Sequence, residues 1–480
     1  MEYGVVIVGA GFAGLGMAMT LKRAGRDDFV ILEKAEALGG TWWENTYPGC
    51  GCDIASHLYS FSFAPRSDWS RAYAEQPEIL GYLKQTAERF DVVRHIRFNT
   101  ELVDARFDES TDRWVVTAAD GSTYLGWALV LGVGALNRPT YPDLPGLPSF
   151  TGPTFHSARW NHDIDLTGKR VAVIGTGASA IQFVPRIAPQ VAQLHVFQRT
   201  APWLLPRPDH PFGPRAKRVF ATVPPARWAY RSALYWRNEI AAAGFTMSPK
   251  LMRAVAVMSR RHLRKQVADP ALRAKLTPSY TIGCKRILIA SDYYPALTRR
   301  NVELVTEPII EVGPQWIVTD DGTKRDVDVI IFGTGFRVVD KLAQLPVTGP
   351  GGVTLARAWR GGVEAYLGMT VAGFGEPVHP VRAEHRSGPQ LRGLHDRGAA
   401  AVRDALPGPA RGGATHLGRP GRAAPVQRSP AAEDAAHRVA GRRLPQLVPR
   451  RRRGEPGAVV GLVGRVLATD PPPPPRPLHP

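Results

Sequence analysis

The sequence predicts an α/β fold built from two Rossmann-like dinucleotide-binding domains, and three observations carry that prediction. A strand, a GxGxxG turn, a helix and a second strand follow one another over residues 5–33. The same unit recurs over residues 169–199. Each unit is followed by a further apolar strand that runs into a pair of glycines, at 129–146 and at 329–340. The 480 residues exceed one ordinary domain and suffice for two or three, each with its own core.

In the first unit Val5 to Val8 form the strand, Gly9, Gly11 and Gly14 the turn, and the second strand finishes at Glu33. Glycines here let the backbone approach a pyrophosphate, which sits on the helix N-terminus. In the second unit the turn carries Gly175, Gly177 and Ala180. Counting 24 residues on from the first glycine reaches Glu33 in one unit and Arg199 in the other, so one structural position is expected to carry opposite charge. A carboxylate there accepts hydrogen bonds from a ribose diol, as in the adenosine of FAD, whereas an arginine suits a 2′-phosphate. The first unit therefore reads as an FAD site and the second as an NADPH site, with Thr200 adding a hydroxyl contact to the phosphate.

The two glycine-bearing strands suit crossings between these domains, their glycines allowing close passage to a cofactor. The expected organisation is an FAD-binding domain begun over 1–145, an NADPH-binding domain over 146–328, and a return to the FAD domain over 329–375. Within 205–280 apolar and basic residues alternate at helical spacing, which predicts an inserted helical cap that shapes a substrate pocket; the alternative is a solvated helical face.

Residues 376–480 differ in kind. They hold 18 Arg, no Lys, 8 acidic residues and 18 of the 43 prolines, and no Phe, Tyr, Trp or Ile. Such a tail cannot build a core and is expected to be disordered. It reads either as an evolved Arg/Pro-rich tail or as a reading frame that slipped after Gly373 in a GC-rich gene. The abruptness of the change favours the slip. The tail accounts for +10 of the net charge of +19, leaving a dispersed +9 that suits anionic cofactors and calls for no nucleic acid.

Cys50, Cys52 and Cys284 are too few and wrongly spaced for a disulfide framework, and the CxC pair lacks the second cluster of a metal site, so no metal is expected. With no apolar run of about 20 residues and no secretory-signal pattern, a cytoplasmic protein without membrane association is expected.

The segment GGTWWENTYPGCGCD, residues 39–53, matches the long motif of class I Baeyer–Villiger monooxygenases at every fixed position. The segment FTGPTFHSARW, residues 150–160, matches the family's FxGxxxHxxxW fingerprint, with Asn161 where Pro or Asp is preferred. The chain thus resembles that family and the related flavin-containing monooxygenases over roughly residues 1–375. The resemblance implies that NADPH reduces FAD, that O2 adds to give a C4a-peroxyflavin, and that attack on a ketone yields an ester or lactone. It further implies that Arg286, in GCKRILIASDYY, steadies the oxyanions, that Asp53 orients Arg286, and that Lys285 faces the NADPH 2′-phosphate. Trp42 and Tyr59 are expected against the flavin, and His156 and Trp160 are expected to couple the domain linker to the nicotinamide. Two alternatives stand beside ketone oxygenation: oxygenation of sulfur or nitrogen, as on a thioether, and an inactive chain that binds FAD weakly. A flavin disulfide reductase is excluded, because neither CxxC nor CxxxxC occurs.

Overall fold

Four consecutive apolar residues, Val5 to Val8, are the pattern of a strand covered on both faces, and strand β1 (Glu2–Val8) lies inside a sheet. Helix α1 (Phe12–Arg23) follows, and β2 (Phe29–Leu32) returns parallel to β1 with Val8 opposite Leu32. Helices α2 (Thr41–Glu44) and α3 (Gln76–Arg89) precede β3 (Ile96–Arg97), which extends the sheet beyond β2. On the other side of β1, β4 (Leu102–Asp108) and β5 (Arg113–Ala118) form an antiparallel extension that leads into β6 (Thr123–Leu131), parallel to β1.

The second sheet opens with β7 (Thr154–His156) and β8 (Arg170–Ile174), followed by helix α4 (Ala180–Ile187) and β9 (Gln193–Phe197). A short parallel pair, β10 (Leu204–Leu205) and β11 (Leu288–Ile289), brackets a helical insert of α5 (Pro214–Thr222), α6 (Pro224–Met247), α7 (Pro249–Gln266) and α8 (Pro270–Lys275). Strand β12 (Val302–Val305) joins β9, and the meander β13 (Ile309–Gly313), β14 (Trp316–Thr319), β15 (Lys324–Asp326) delivers β16 (Val329–Phe332). Two later strands rejoin the first sheet: β17 (Val347–Thr348) beside β4 and β18 (His379–Pro380) beside the end of β6.

This computed structural model describes residues 1–247, 249–337, 345–362, 371 and 379–380, all within one compact unit, Met1–Pro407. Apart from 379–380, the tail expected from residue 376 lies outside the described residues. Among the described residues the parallel part of the first sheet runs β3-β2-β1-β6-β18 and the second sheet runs β12-β9-β8-β16-β7. The first four strands follow the same order in both sheets, so the repeat extends beyond the glycine turns; the fifth differs, β18 coming after β6 in the chain and β7 before β8.

One strand is not where it was expected. The sequence pattern places Val329 to Phe332 in the return to the FAD-binding domain, yet β16 lies between β8 and β7 in the second sheet, with Phe332 opposite both Ile174 and His156. Two unbroken parallel registers hold it there. The crossing back lies beyond it, and Thr140 and Arg337 join the two crossings through N–H bonds to Gly335 (2.9 Å) and Arg138 (3.1 Å).

The charge is also not dispersed. Residues 214–266, which span α5 to α7, hold twelve basic residues and one acidic residue, a net of +11, whereas the other 322 residues before 376 sum to −2. The sheets and glycine turns are therefore close to neutral. One buried apolar cluster runs from Ile7 and Met17 through Trp42 and Tyr47 to Phe183 and Val173, so the seam between the sheets is itself core. No helix among the described residues is long and apolar enough to cross a membrane.

Candidate functional site

The glycine turns fold as near copies. Gly9 has φ +99°, and a Cβ on it would stand 2.5 Å from the Gly132 carbonyl; Gly175 has φ +105° and meets the Gly333 carbonyl at the same distance. A Cβ on Gly14 would fall 1.8 Å from the Gly9 carbonyl, so α1 can press against β1 only without a side chain there. In the second unit Ala180 fills that place, its Cβ 3.1 Å from where a Cβ on Gly333 would be. Gly11 has a different role. It sits at the start of α1 with φ −84°, a Cβ on it would touch only Gly40 Cα at 3.6 Å, and no side chain caps the helix. That end is open for an anion. Gly177 is similarly open, the Gly333 carbonyl being 3.6 Å away.

These contacts separate two substitutions. Gly11→Ala is expected to fold, with flavin per protein falling sharply in the visible spectrum. Gly14→Ala is expected to yield no folded protein, because backbone meets backbone. Full flavin content in Gly11→Ala would remove the turn from the site.

The strand ends correct the counting argument. Gly9 N–H donates to Leu32 (2.7 Å) and Gly175 N–H to Phe197 (3.0 Å), so Leu32 and Phe197 are equivalent. The residue in Glu33's place is then Gln198, and Arg199 stands one further on. The second unit is one residue shorter between turn and strand end, which a fixed count of 24 cannot register. Glu33 is buried, its carboxylate accepting from Ala10 N–H (2.6 Å) and Ala35 N–H (2.9 Å). Gln198 is buried too; its amide donates to the Lys275 carbonyl (2.8 Å), and its Oε1 has no partner among the described residues. Arg199 is exposed and makes no ion pair with a described residue. The Thr200 carbonyl accepts from Thr176 Oγ1 at 3.5 Å. Lys285 is exposed with its ammonium 4.9 Å from the Tyr280 ring, on the segment entering β11, which pairs with the strand that follows Arg199.

At the seam, Trp42 on α2 is buried, and its indole N–H donates to Tyr59 Oη at 3.1 Å, the rings meeting edge-on. Tyr59 also meets Phe12, the first residue of α1, with centroids 4.8 Å apart. The long motif then passes Cys50 and Cys52, both buried; burial pushes the Cys50 thiol up to about 12, which removes it as a nucleophile or ligand. Among the described residues no His/Cys/Asp/Glu group could hold a metal. Asp53 follows, and the Arg286 guanidinium donates to its Oδ2 in a short ion pair with Arg286 half exposed.

Two residues that no motif flagged hold this segment. Gln182 on α4 accepts from Tyr47 Oη (2.9 Å) and Gly51 N–H (3.3 Å) and donates to the Gly51 carbonyl (3.0 Å). Arg207 donates to the carbonyls of Cys52 (3.2 Å) and Tyr73 (3.1 Å). Both reach the long motif from more than 130 residues further along the chain, so the segment that ends at Asp53 is held by parts far apart in sequence.

Residues 3–219 match the flavin-binding monooxygenase-like family. A Baeyer–Villiger monooxygenase of Pseudomonas aeruginosa is 48% identical over 370 residues, which are 77% of this chain and 70% of that protein. The chain belongs to the Baeyer–Villiger monooxygenases. Among solved structures, cyclohexanone monooxygenase from Rhodococcus sp. Phi1 bound to NADP+ superposes with a TM-score of 0.74 at 31% identity, covering 84% of this chain and 85% of that one. OTEMO in complex with FAD and NADP gives 0.73 at 30% identity, covering 84% and 85%.

In this Baeyer–Villiger monooxygenase the fingerprint segment clasps the long motif. Arg159 pairs with Glu44 on α2 at 3.1 Å, His162 Nε2 lies 2.8 Å from Thr46 Oγ1, and Trp160 packs between Phe155 and Phe183. His156 is fully buried, its Nδ1 accepting from Ala158 N–H at 3.1 Å. Burial lowers its imidazole to about 4 and does the same for buried His57, where Arg227 and Arg231 add to the effect. Both histidines are thus neutral in the fold. Between about pH 6.5 and 4 the unfolded chain takes up protons that the folded chain refuses, so stability is present above pH 6.5 and lost on acidification. Each is expected to contribute at most about 3 kcal/mol at neutral pH. Melting temperature followed from pH 7.5 to 5 should fall less steeply in His156→Phe than in the parent, and parallel slopes would contradict this account.

Proposed function

We propose that the chain is an FAD- and NADPH-dependent monooxygenase that inserts one oxygen atom of O2 into a ketone, giving an ester or lactone. The ion pair between Arg286 and Asp53 carries the reading, since it holds a cation at the seam where the two nucleotide units meet. The chain's residues fit both cofactors. Gly11 and the uncapped start of α1 would take the FAD pyrophosphate and Glu33 its ribose; Gly177 with Arg199, Thr200 and Lys285 would take NADPH. Bound there, the two cofactors would supply the reducing equivalents and the activation of O2.

The chain's own groups do the rest. Arg286 offers N–H donors to negative charge developing on the oxygen of a ketone carbonyl, and Asp53 keeps that guanidinium from turning away. Trp42 and Tyr59, locked together by their hydrogen bond, form an apolar wall that excludes water beside Phe12. Arg159 and Trp160 fix the linker to the flavin-side motif. Three unpaired cysteines suit a reducing compartment, and the cytoplasm belongs to the same proposal.

The test is to purify the full chain, record its visible spectrum, and incubate it with NADPH, O2 and either a cyclic ketone or a thioether. A yellow protein that makes lactone supports the reading. Sulfoxide without lactone moves the activity to heteroatoms, and a colourless protein excludes an active oxygenase.

A further inference from the structure

We propose, against the sequence-based expectation of no membrane association, that the helical insert is a peripheral docking surface for an anionic lipid bilayer. Two observations independent of the oxygenase reading meet there. The first is the charge: a net of +11 over residues 214–266, on a body that is otherwise near neutral. Arg253, Arg261, Arg264 and Lys265 on α7 are exposed and make no ion pair with a described residue. The second is apolar exposure. Trp228, Trp236 and Ile240 on α6 are 63, 62 and 67% exposed, and Met258 on α7 is 56% exposed beside exposed Leu251 and Val257.

On α6 the spacing i, i+8, i+12 places both tryptophans and Ile240 within about a third of the helix circumference. The opposite face is anchored: Leu234 is buried, and buried Arg231 donates to Ser60 Oγ (3.1 Å) and the Ser60 carbonyl (3.2 Å). The tryptophan stripe is therefore held pointing away from the body. Large apolar side chains in such a patch mark a contact site.

Charge chooses the occupant. Residues 376–480 carry a further net of +10 and no aromatic residue, so their like charge makes them a poor match for the insert. A second copy would set one strongly basic surface against another. A polyanion is called for, and aliphatic side chains beside the tryptophans match a bilayer's interface and hydrocarbon edge better than a nucleic-acid backbone.

Co-sedimentation of the full chain with phosphatidylglycerol-containing and pure phosphatidylcholine vesicles tests this. Binding to the former is expected to be at least about tenfold stronger and to weaken with salt. The double variant Trp228→Ser/Trp236→Ser, and separately Arg261→Glu/Arg264→Glu, should each lose about tenfold with unchanged circular dichroism melts. No sedimentation with anionic vesicles at low salt overturns the proposal. So does duplex DNA binding as tightly as vesicles and indifferent to the tryptophan variant, which assigns a nucleic acid. Self-association abolished by Trp228→Ser/Trp236→Ser, without vesicle binding, assigns a second copy instead.

Discussion

Arg286→Ala is expected to lower turnover of a ketone by about 10²- to 10³-fold while leaving the flavin content of the purified protein unchanged. Arg286 is half exposed, so truncation removes a cation without opening a cavity. The loss should fall on kcat, because the donor meets a charge that develops only as the carbonyl is attacked. Arg286→Lys should recover only part of the rate, since an ammonium cannot donate to Asp53 and to a second oxygen with the same planar geometry. Asp53→Asn keeps the shape and removes the anchoring charge, so it should lower the rate less than the alanine variant does. Turnover of Arg286→Ala within threefold of the parent, at equal flavin content, would leave the ion pair as a structural clasp between domains.

That pair was legible only through the family resemblance, because each half sits in a segment that matches a family motif while the contact itself spans 233 residues. The glycine turns were legible locally: a positive φ at Gly9 and Gly175, and a carbonyl 1.8 Å from any Cβ on Gly14, admit few alternatives. What escaped depends on pairing at long range. The sheet that β16 enters is decided by β8 and β7, about 160 and 175 residues upstream, and an apolar strand ending in glycines serves either sheet equally well. Gln182 and Arg207 hold the long motif through backbone carbonyls and an amide, contacts that leave no signature in a motif. The charge on α5 to α7 is present in the sequence, but only the fold gathers these residues into one insert.

The register at the end of β9 yields the second large effect, on coenzyme choice. Gln198, not Arg199, occupies the place that Glu33 holds in the first unit, so the second unit lacks a carboxylate there and gains a cation one residue later. Removing the carboxylate spares a 2′-phosphate from repulsion, and adding the arginine attracts it; the two steps are separable by substitution. Arg199→Ala forfeits a charge-assisted hydrogen bond of about 1.5 to 3 kcal/mol, so the dissociation constant for NADP+ should rise roughly 10- to 150-fold while that for NAD+ barely moves. Gln198→Glu restores the carboxylate at the loss of the amide's hydrogen bond to the Lys275 carbonyl, and should weaken NADP+ by about tenfold or more through like-charge repulsion without weakening NAD+ comparably. Binding titrations of both nucleotides, made on the oxidised protein without turnover, keep this test apart from catalysis. If Gln198→Glu changes neither constant while Arg199→Ala changes both equally, the strand end reads only the sugar that the two nucleotides share. The discrimination would then have to come from Lys285, on the facing segment that enters β11.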